Sequence, residues 1–277
     1  MPPFKNVLLI GASGNLGTAL LTALLPSQYR VTPTTPPSPP SPPPCATKDV
    51  VISTIGGAIV GDQNRFIDAA LAAGVTRFIP SEFGPDTLQP GVHEVIPSLP
   101  AKLSTVQYLR TKEGALEWTS VITGVWLDWA LTSGLFAFDV QNKVARVVDR
   151  GATAFTGTLL AKVAKAVLAI LDRPQETRNR YVYISSFTTT QNEVLAAFER
   201  VDGRKWSVVH ENSEDILATG RKMVQQGDYG GTMHLVRYIV TNKAGLGLSP
   251  REKLWDERLG LEEDDLEQMV RDIYSGR

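Results

Sequence analysis

The stretch Val7-Leu8-Leu9-Ile10-Gly11-Ala12-Ser13-Gly14-Asn15-Leu16-Gly17 decides the fold. Its first four residues are a short apolar run that ends at a glycine turn, the pattern of a buried parallel strand. Over 15–25, Leu16, Ala19, Leu20, Ala23 and Leu24 share one helical stripe, and Pro26 stops it. A G-x-x-G-x-x-G turn between a strand and a helix has a physical use. The first glycine permits the tight turn, the second lets backbone approach a pyrophosphate, and the third lets the helix pack closely on the strand. The free N–H groups of the helix start then face the anion. A tight turn without a ligand is the plainer reading, but three spaced glycines lose more backbone entropy than a turn alone requires.

Outward from this unit, residues 29–32 read as a second short strand. Residues 33–44 carry eight prolines in twelve positions, so they cannot donate a regular ladder and read as a polyproline-like surface loop. A strand over 50–55 precedes Gly56-Gly57. A helix over 62–73 follows, with Phe66, Ile67, Ala70 and Leu71 inward and Gly74 as its cap. Next come a strand over 76–79, a loop over 85–100 with four prolines, a helix over 101–110 with Leu103 and Val106 inward, and a strand over 118–123. Strands alternating with helices predict a parallel sheet covered on both faces.

The second half lacks another glycine-rich phosphate turn. It reads as a strand over 144–148, a turn at 149–151, a helix over 156–171, a helix opened by the capping box Thr190-Gln191-Asn192-Glu193 and ending near Gly203, and a last helix over 261–273. The acids Glu262, Glu263, Asp264 and Asp265 near that helix start read as a solvated face.

Composition bounds the function. The chain has 277 residues, 43% hydrophobic and 21% charged, which excludes disorder and coiled coil. A net charge of −1 gives no global field toward nucleic acid or an anionic membrane, so neither is an expected partner. Cys45, the single cysteine, forms no internal disulfide and reads as a loop thiol; with no signal-type apolar block at the start, the expected location is cytoplasmic.

Ligands of open parallel sheets lie beyond the strands' carboxyl ends, which points to Ser53-Thr54-Ile55-Gly56-Gly57 and Pro80-Ser81-Glu82-Phe83-Gly84. About 20 residues past the glycines a dinucleotide site usually has an acid for the ribose or an arginine for a 2′-phosphate. Here stands Thr32-Pro33-Thr34-Thr35-Pro36. For a proton donor, Tyr108 and Lys112 have the i,i+4 spacing of ordinary short-chain dehydrogenases but no clearly placed serine partner, so they read as a structural pair. Lys102, which follows the long loop, is the better candidate. His93, His210 and His234 lack metal-ligand spacing, and no metal is expected. Trp118, Trp126 and Trp129 suit either a core or an apolar cavity.

With the glycine turn, Val-Ile-Ser-Thr-Ile-Gly-Gly at 51–57, Arg-Phe-Ile-Pro-Ser-Glu-Phe-Gly at 77–84, and Glu-Trp-Thr-Ser and Thr-Gly-Val-Trp-Leu-Asp-Trp-Ala-Leu within 117–131, the chain resembles the NmrA-like, isoflavone-reductase-like family of atypical short-chain dehydrogenases, particularly its fungal members. The resemblance implies an α/β Rossmann-like domain over 1–130 and a smaller, mainly substrate-binding part over 131–277, some segments of which return to the sheet. It implies NADPH-dependent reduction of a small hydrophobic carbonyl or conjugated alkene. The phosphate turn falls on Gly11, Ser13, Gly14, Asn15, Leu16 and Gly17, the strand-end contacts on Ser53, Thr54 and Ile55, the nicotinamide side on Ser81, Glu82 and Phe83, and the catalytic lysine on Lys102. Where relatives carry a basic residue and a further strand and helix, this chain has Pro36 and a proline-rich bridge to Lys48. One strand-helix unit after strand two is therefore expected to be missing, with NADPH binding weak or absent. Two other functions stay open: a cofactor-independent cyclase or isomerase using the same pocket, and a nucleotide-sensing regulator without turnover. Oligomeric state is not legible.

Overall fold

A computed structural model describes residues 4–36 and 43–276. The chain begins with β1 (Asn6–Ile10), buried from Val7 onward, then α1 (Asn15–Leu24) and β2 (Arg30–Thr34). It continues through β3 (Val50–Ser53), α2 (Gln63–Ala72), β4 (Arg77–Ile79), α3 (Leu99–Arg110) and β5 (Glu117–Ile122). These strands join β10 (Arg180–Tyr183) in a six-stranded sheet ordered β10-β5-β4-β3-β1-β2, parallel at every pairing.

One detail of the edge differs from the sequence expectation. The strand β2 runs on through Pro33 and Thr34, paired with Leu9 and Ile10 of β1. Proline is tolerated there because β2 is the last strand, and one side of its backbone needs no ladder partner. The remainder of the proline tract, 37–42, lies outside the described residues. The next strand, β3, pairs with the opposite side of β1, and among the described residues no strand or helix intervenes. Among the described residues β2 is therefore the edge of the sheet on this side.

Of the link between β2 and β3, Cys45 sits on the α2/α3 face. There it is 3% exposed and packs with Leu8, Ile10, Val51, Phe66 and Val106. It is a core residue rather than a plain loop thiol, and burial pushes its pKa up to about 11, which leaves little reactive thiolate. The opposite face of the sheet presents Val7, Leu9, Val50 and Ile52 to α1 and α5 (Leu160–Asp172).

The second half contributes β6 (Val125–Trp126), α4 (Leu127–Thr132), β7 (Phe138–Asp139), β8 (Val144–Val148) and β9 (Phe155–Thr158) before α5. Residues 156–158, expected to open a helix, are instead the strand β9. Thr156 and Thr158 are β-branched, and the Thr158 hydroxyl lies 2.6 Å from the Thr123 carbonyl, tying the strand to the end of β5. After β10 come β11 (Phe187–Thr189), α6 (Gln191–Asp202), β12 (Ser207–Glu211), α7 (Ser213–Gln225), α8 (Gly230–Thr241), α9 (Asp256–Leu259) and α10 (Leu266–Ser275). Two small sheets are ordered β11-β9-β6 and β12-β8-β7. The Thr190 capping box forms, with Gly203 left-handed at the other end of α6.

The last helix starts at Leu266, later than the sequence suggested, with Asp265 as its N-cap 2.9 Å from the Gln268 amide. Its preceding acids are not a uniformly solvated face. Asp264 lies 3.2 Å and Asp256 3.6 Å from the ammonium of Lys162, which is 5% exposed. A buried cation needs such partners, and α5 supplies it from its apolar side. The loop over 85–100 is likewise anchored: Val92, Val95, Ile96 and Leu99 pack on Leu217, Leu235 and Ile239 of α7 and α8. That packing brings α8 against the start of α3, across the carboxyl ends of the sheet. No helix among the described residues is long and apolar enough to cross a membrane.

Candidate active site

The three glycines of the first turn have different reasons to be glycine. Gly11 has φ +87°, and a Cβ there would sit 2.8 Å from the Thr54 hydroxyl; a Cβ on Gly17 would sit 2.0 Å from the Gly11 carbonyl. Both are required by the chain itself. Gly14 is extended, at φ −78° and ψ 171°, and its Cβ would meet only the Gly11 carbonyl at an ordinary 3.5 Å. Gly56, past β3, has the same angles and nothing within 4 Å. Neither needs to be glycine for packing, and both face one cavity. The helix α1 also starts without a side-chain cap, so its first amides are left for a ligand or water.

That cavity, about 530 Å³, lies beyond the strands' carboxyl ends. The glycine turn borders it through Gly14, Asn15 and Leu16, and the end of β3 through Thr54, Ile55, Gly56 and Gly57. The turn after β4 adds Ser81, Glu82, Phe83 and Gly84, and α3 adds Leu99 and Lys102. Opposite stand Trp126 and Trp129, edge to face at 6.0 Å, with Val236, Ile239 and Val240 of α8. Of the sequence candidates, Gly11, Ser13, Gly17 and Ser53 are not on this wall. Ser53 is fully buried in β3, its hydroxyl without a partner. Trp118 is a core residue whose indole N–H donates to Glu113 at 2.7 Å.

The wall is held rigidly. The Thr54 hydroxyl lies 2.9 Å from the Ile10 carbonyl and 3.1 Å from that of Gly11, fixing the glycine turn to β3. The Ser81 amide donates to Gln63 at 2.7 Å and its hydroxyl to the Ile55 carbonyl at 2.8 Å. Phe83 takes φ +31°, a strained value for a phenylalanine, while the Gly84 carbonyl accepts from the Thr123 and Gly124 amides at 3.1 and 3.0 Å. The ammonium of Lys102 donates to the Glu82 carbonyl. Burial lowers the Lys102 pKa, with the Glu82 carboxylate opposing. Tyr108 and Lys112 are elsewhere. The Tyr108 hydroxyl donates to Asp68 of α2 at 2.5 Å, and Lys112 stacks over the Tyr108 ring at 4.5 Å.

Glu82 is 2% exposed, and burial pushes its pKa up to about 7, with Lys102 and Thr87 holding it back and Asp86 adding to the rise. The folded chain therefore binds a proton that the unfolded chain releases nearer pH 4.5. A raised pKa gives stability that is fully present below the unfolded value and lost as pH rises through the folded one. Relative to Glu82→Gln, the unmodified protein should lose about 2–3 kcal/mol of unfolding free energy between pH 5 and pH 8. Denaturant titrations at the two pH values check this; a constant difference between the proteins would refute it.

Gly56 lies within the stretch after β3 that the sequence pointed to, without being named there as a contact, whereas the α8 residues were not singled out at all. Gly56 carries a signal, since it follows a strand end, but Val236, Ile239 and Val240 look like any apolar helix face. They reach the cavity because α8 packs both on the 85–100 loop and on the core around α4 and β9.

A parallel sheet with a glycine turn and a cavity beyond its carboxyl ends defines a nucleotide-binding class of fold. The chain belongs to the NmrA-like family, whose profile matches residues 45–226. It is similar to oxidoreductase aprR of Aspergillus flavus, 32% identical over 98% of this chain and 99% of that one. It is also similar to oxidoreductase poxI of Penicillium oxalicum, 32% identical over 81% and 79% of the two chains. Isoflavone reductase homolog P3 of Arabidopsis thaliana is 31% identical over 61% of this chain and 56% of its own length. Among solved structures, an isoflavone reductase superposes with a TM-score of 0.75 at 18% identity, covering 97% of this chain and 99% of that chain. A leucoanthocyanidin reductase from Vitis vinifera in complex with NADPH gives 0.76 at 18% identity, covering 98% and 100%. Both share the fold.

Proposed function

We propose that this chain is an NADPH-dependent reductase of a small, mainly apolar molecule bearing a carbonyl or conjugated alkene. The observation that carries the reading is Lys102. It is a lysine set by α3 into a mainly apolar cavity, beside the turn after β4 and lining it together with two tryptophans. Relatives named oxidoreductases at 32% identity support it. Residues 1–130 then hold the nucleotide and 131–277 mainly the substrate, while β10 and α5 return to the sheet.

The residues present fit a dinucleotide. Gly14 and Gly56 leave room that no side chain fills, and the uncapped start of α1 offers amides for a pyrophosphate. A bound NADPH supplies hydride. The chain's part is to hold the substrate against Trp126 and Trp129, exclude water with the α8 face, and give a proton from Lys102 to the oxygen or carbon left basic by reduction. Partial burial suits Lys102 to this by bringing its pKa toward neutrality. Turnover of a panel of aromatic ketones and enones, followed as loss of NADPH absorbance, tests the reading. Conversion of a panel compound without nucleotide would favour a cyclase or isomerase instead.

The adenosine side sets a further expectation. No basic residue occurs between Val31 and Thr47, and the ammonium of Lys48 donates to the Thr32 hydroxyl at 2.7 Å. One missing charge-assisted contact to a 2′-phosphate is worth roughly 1.5–3 kcal/mol, or about 10- to 150-fold in affinity. NADPH should accordingly bind weakly and scarcely better than NADH. Parallel titrations check this, and strong preference for NADPH would contradict it.

A further inference from the structure

We infer that Glu82 is the positioning residue that keeps Lys102 charged and aimed into the cavity, rather than a contact of the nucleotide. This rests on the reading of Lys102 as proton donor and deepens it. Glu82 accepts from the Thr87 hydroxyl at 3.0 Å through one carboxyl oxygen. The other oxygen, Oε1, is buried and has no hydrogen-bond partner. An interior carboxylate with an idle oxygen needs a compensating charge.

The surrounding charges leave one group to supply it. Asp86, beside Glu82 and 4% exposed, already accepts from the Tyr183 hydroxyl at 3.1 Å and from the Lys253 ammonium at 3.3 Å. Tyr181 and Tyr183, also close, are held in their neutral form by burial, and Arg110 acts on Tyr181 rather than on Glu82. Lys102 is the cation whose charge acts on Glu82 most strongly.

The backbone places that cation with care. The ammonium donates to the carbonyl of Glu82 itself and sits 3.8 Å from where a Cβ on Gly84 would be. The turn through Glu82, Phe83 and Gly84 therefore wraps the ammonium, and the positive φ of Phe83 makes the wrap possible. On the cavity side Lys102 meets an apolar wall, which favours the neutral amine. An apolar substrate would favour it further. The carboxylate behind opposes this, so the lysine keeps the proton it is to give.

Trace acylation of lysines with acetic anhydride across pH, read at Lys102 by peptide mass spectrometry, measures its titration without a substrate. In Glu82→Gln the half-labelling pH of Lys102 should fall by about one unit, making labelling near neutral pH about tenfold faster. Glu82→Asp should lie between, and NADPH affinity should hardly change. An unmoved half-labelling pH in Glu82→Gln would overturn the proposal, and a simultaneous loss of NADPH affinity would make Glu82 a nucleotide contact. Should neither variant fold, the unmodified protein decides. Its Lys102 curve should carry a second inflection near pH 7, where Glu82 takes up its proton, and a single-step curve would refute the coupling. Failure of the donor reading looks different: Lys102→Met would keep its turnover while the labelling shift stood.

Discussion

Gly14→Val is expected to abolish NADPH binding, by a hundredfold or more, while the protein keeps its fold. A factor of about 100 is near 2.7 kcal/mol, which a branched side chain intruding on the pyrophosphate path readily exceeds. The fold should survive because Gly14 is extended, at φ −78°, where valine is unstrained, and a Cβ there meets no atom of the chain closer than 3.5 Å. The same substitution at Gly17 has the opposite character. A Cβ 2.0 Å from the Gly11 carbonyl forces α1 away from β1, so Gly17→Val should fail to fold. Thermal unfolding alongside nucleotide titration separates the two. A Gly14→Val protein that still binds NADPH normally would make the turn purely structural.

Lys102→Met should lower turnover by about 10²- to 10⁴-fold, the usual contribution of a general acid, with thermal midpoint and nucleotide affinity little changed. Methionine keeps the apolar stem and removes the ammonium, so the loss reports the proton and not the packing. Tyr108→Phe should be nearly silent in rate, since its hydroxyl is engaged with Asp68 outside the cavity. Residues 102 and 108 lie six apart, roughly 240° around a helix, and cannot face the same way. If Tyr108→Phe abolished activity and Lys102→Met did not, the tyrosine mechanism of ordinary short-chain dehydrogenases would replace proton donation by the lysine.

The wall of the cavity formed by the glycine turn and the strand ends was legible because local patterns encode it. Strand, glycine turn and helix occupy one consecutive stretch, Asn6–Leu24, and the turns after β3 and β4 each follow an apolar strand directly. The edge was only partly legible: the prolines over 33–44 suggest that no ladder forms there, yet Pro33 and Thr34 still pair with Leu9 and Ile10 as the end of β2. Sequence pattern failed where neighbours overrode propensity. Thr156 to Thr158 sit in a stretch that continues helically, yet pairing with β6 and β11 makes them a strand. Asp264 reads as one acid in a solvated run until the fold brings Lys162 beneath it from about 100 residues away. The opposite wall of the cavity was illegible for the same reason. Trp129 and the α8 residues Val236 and Val240 are about 100 residues apart in sequence and meet in one core cluster, while the 85–100 loop, which shows no periodicity, carries a small core of its own against α8. Glu82 was found on the cavity wall by its place after a strand, but its burial and idle oxygen appear only in three dimensions.

The most direct test is a titration of the unmodified protein with NADPH, followed by quenching of tryptophan fluorescence, because Trp126 and Trp129 line the same cavity as Gly14 and Lys102. Saturable quenching that disappears in folded Gly14→Val is the expected result. A folded protein whose fluorescence shows no saturable response to NADPH, or responds equally with valine at position 14, would contradict nucleotide binding at the glycine turn.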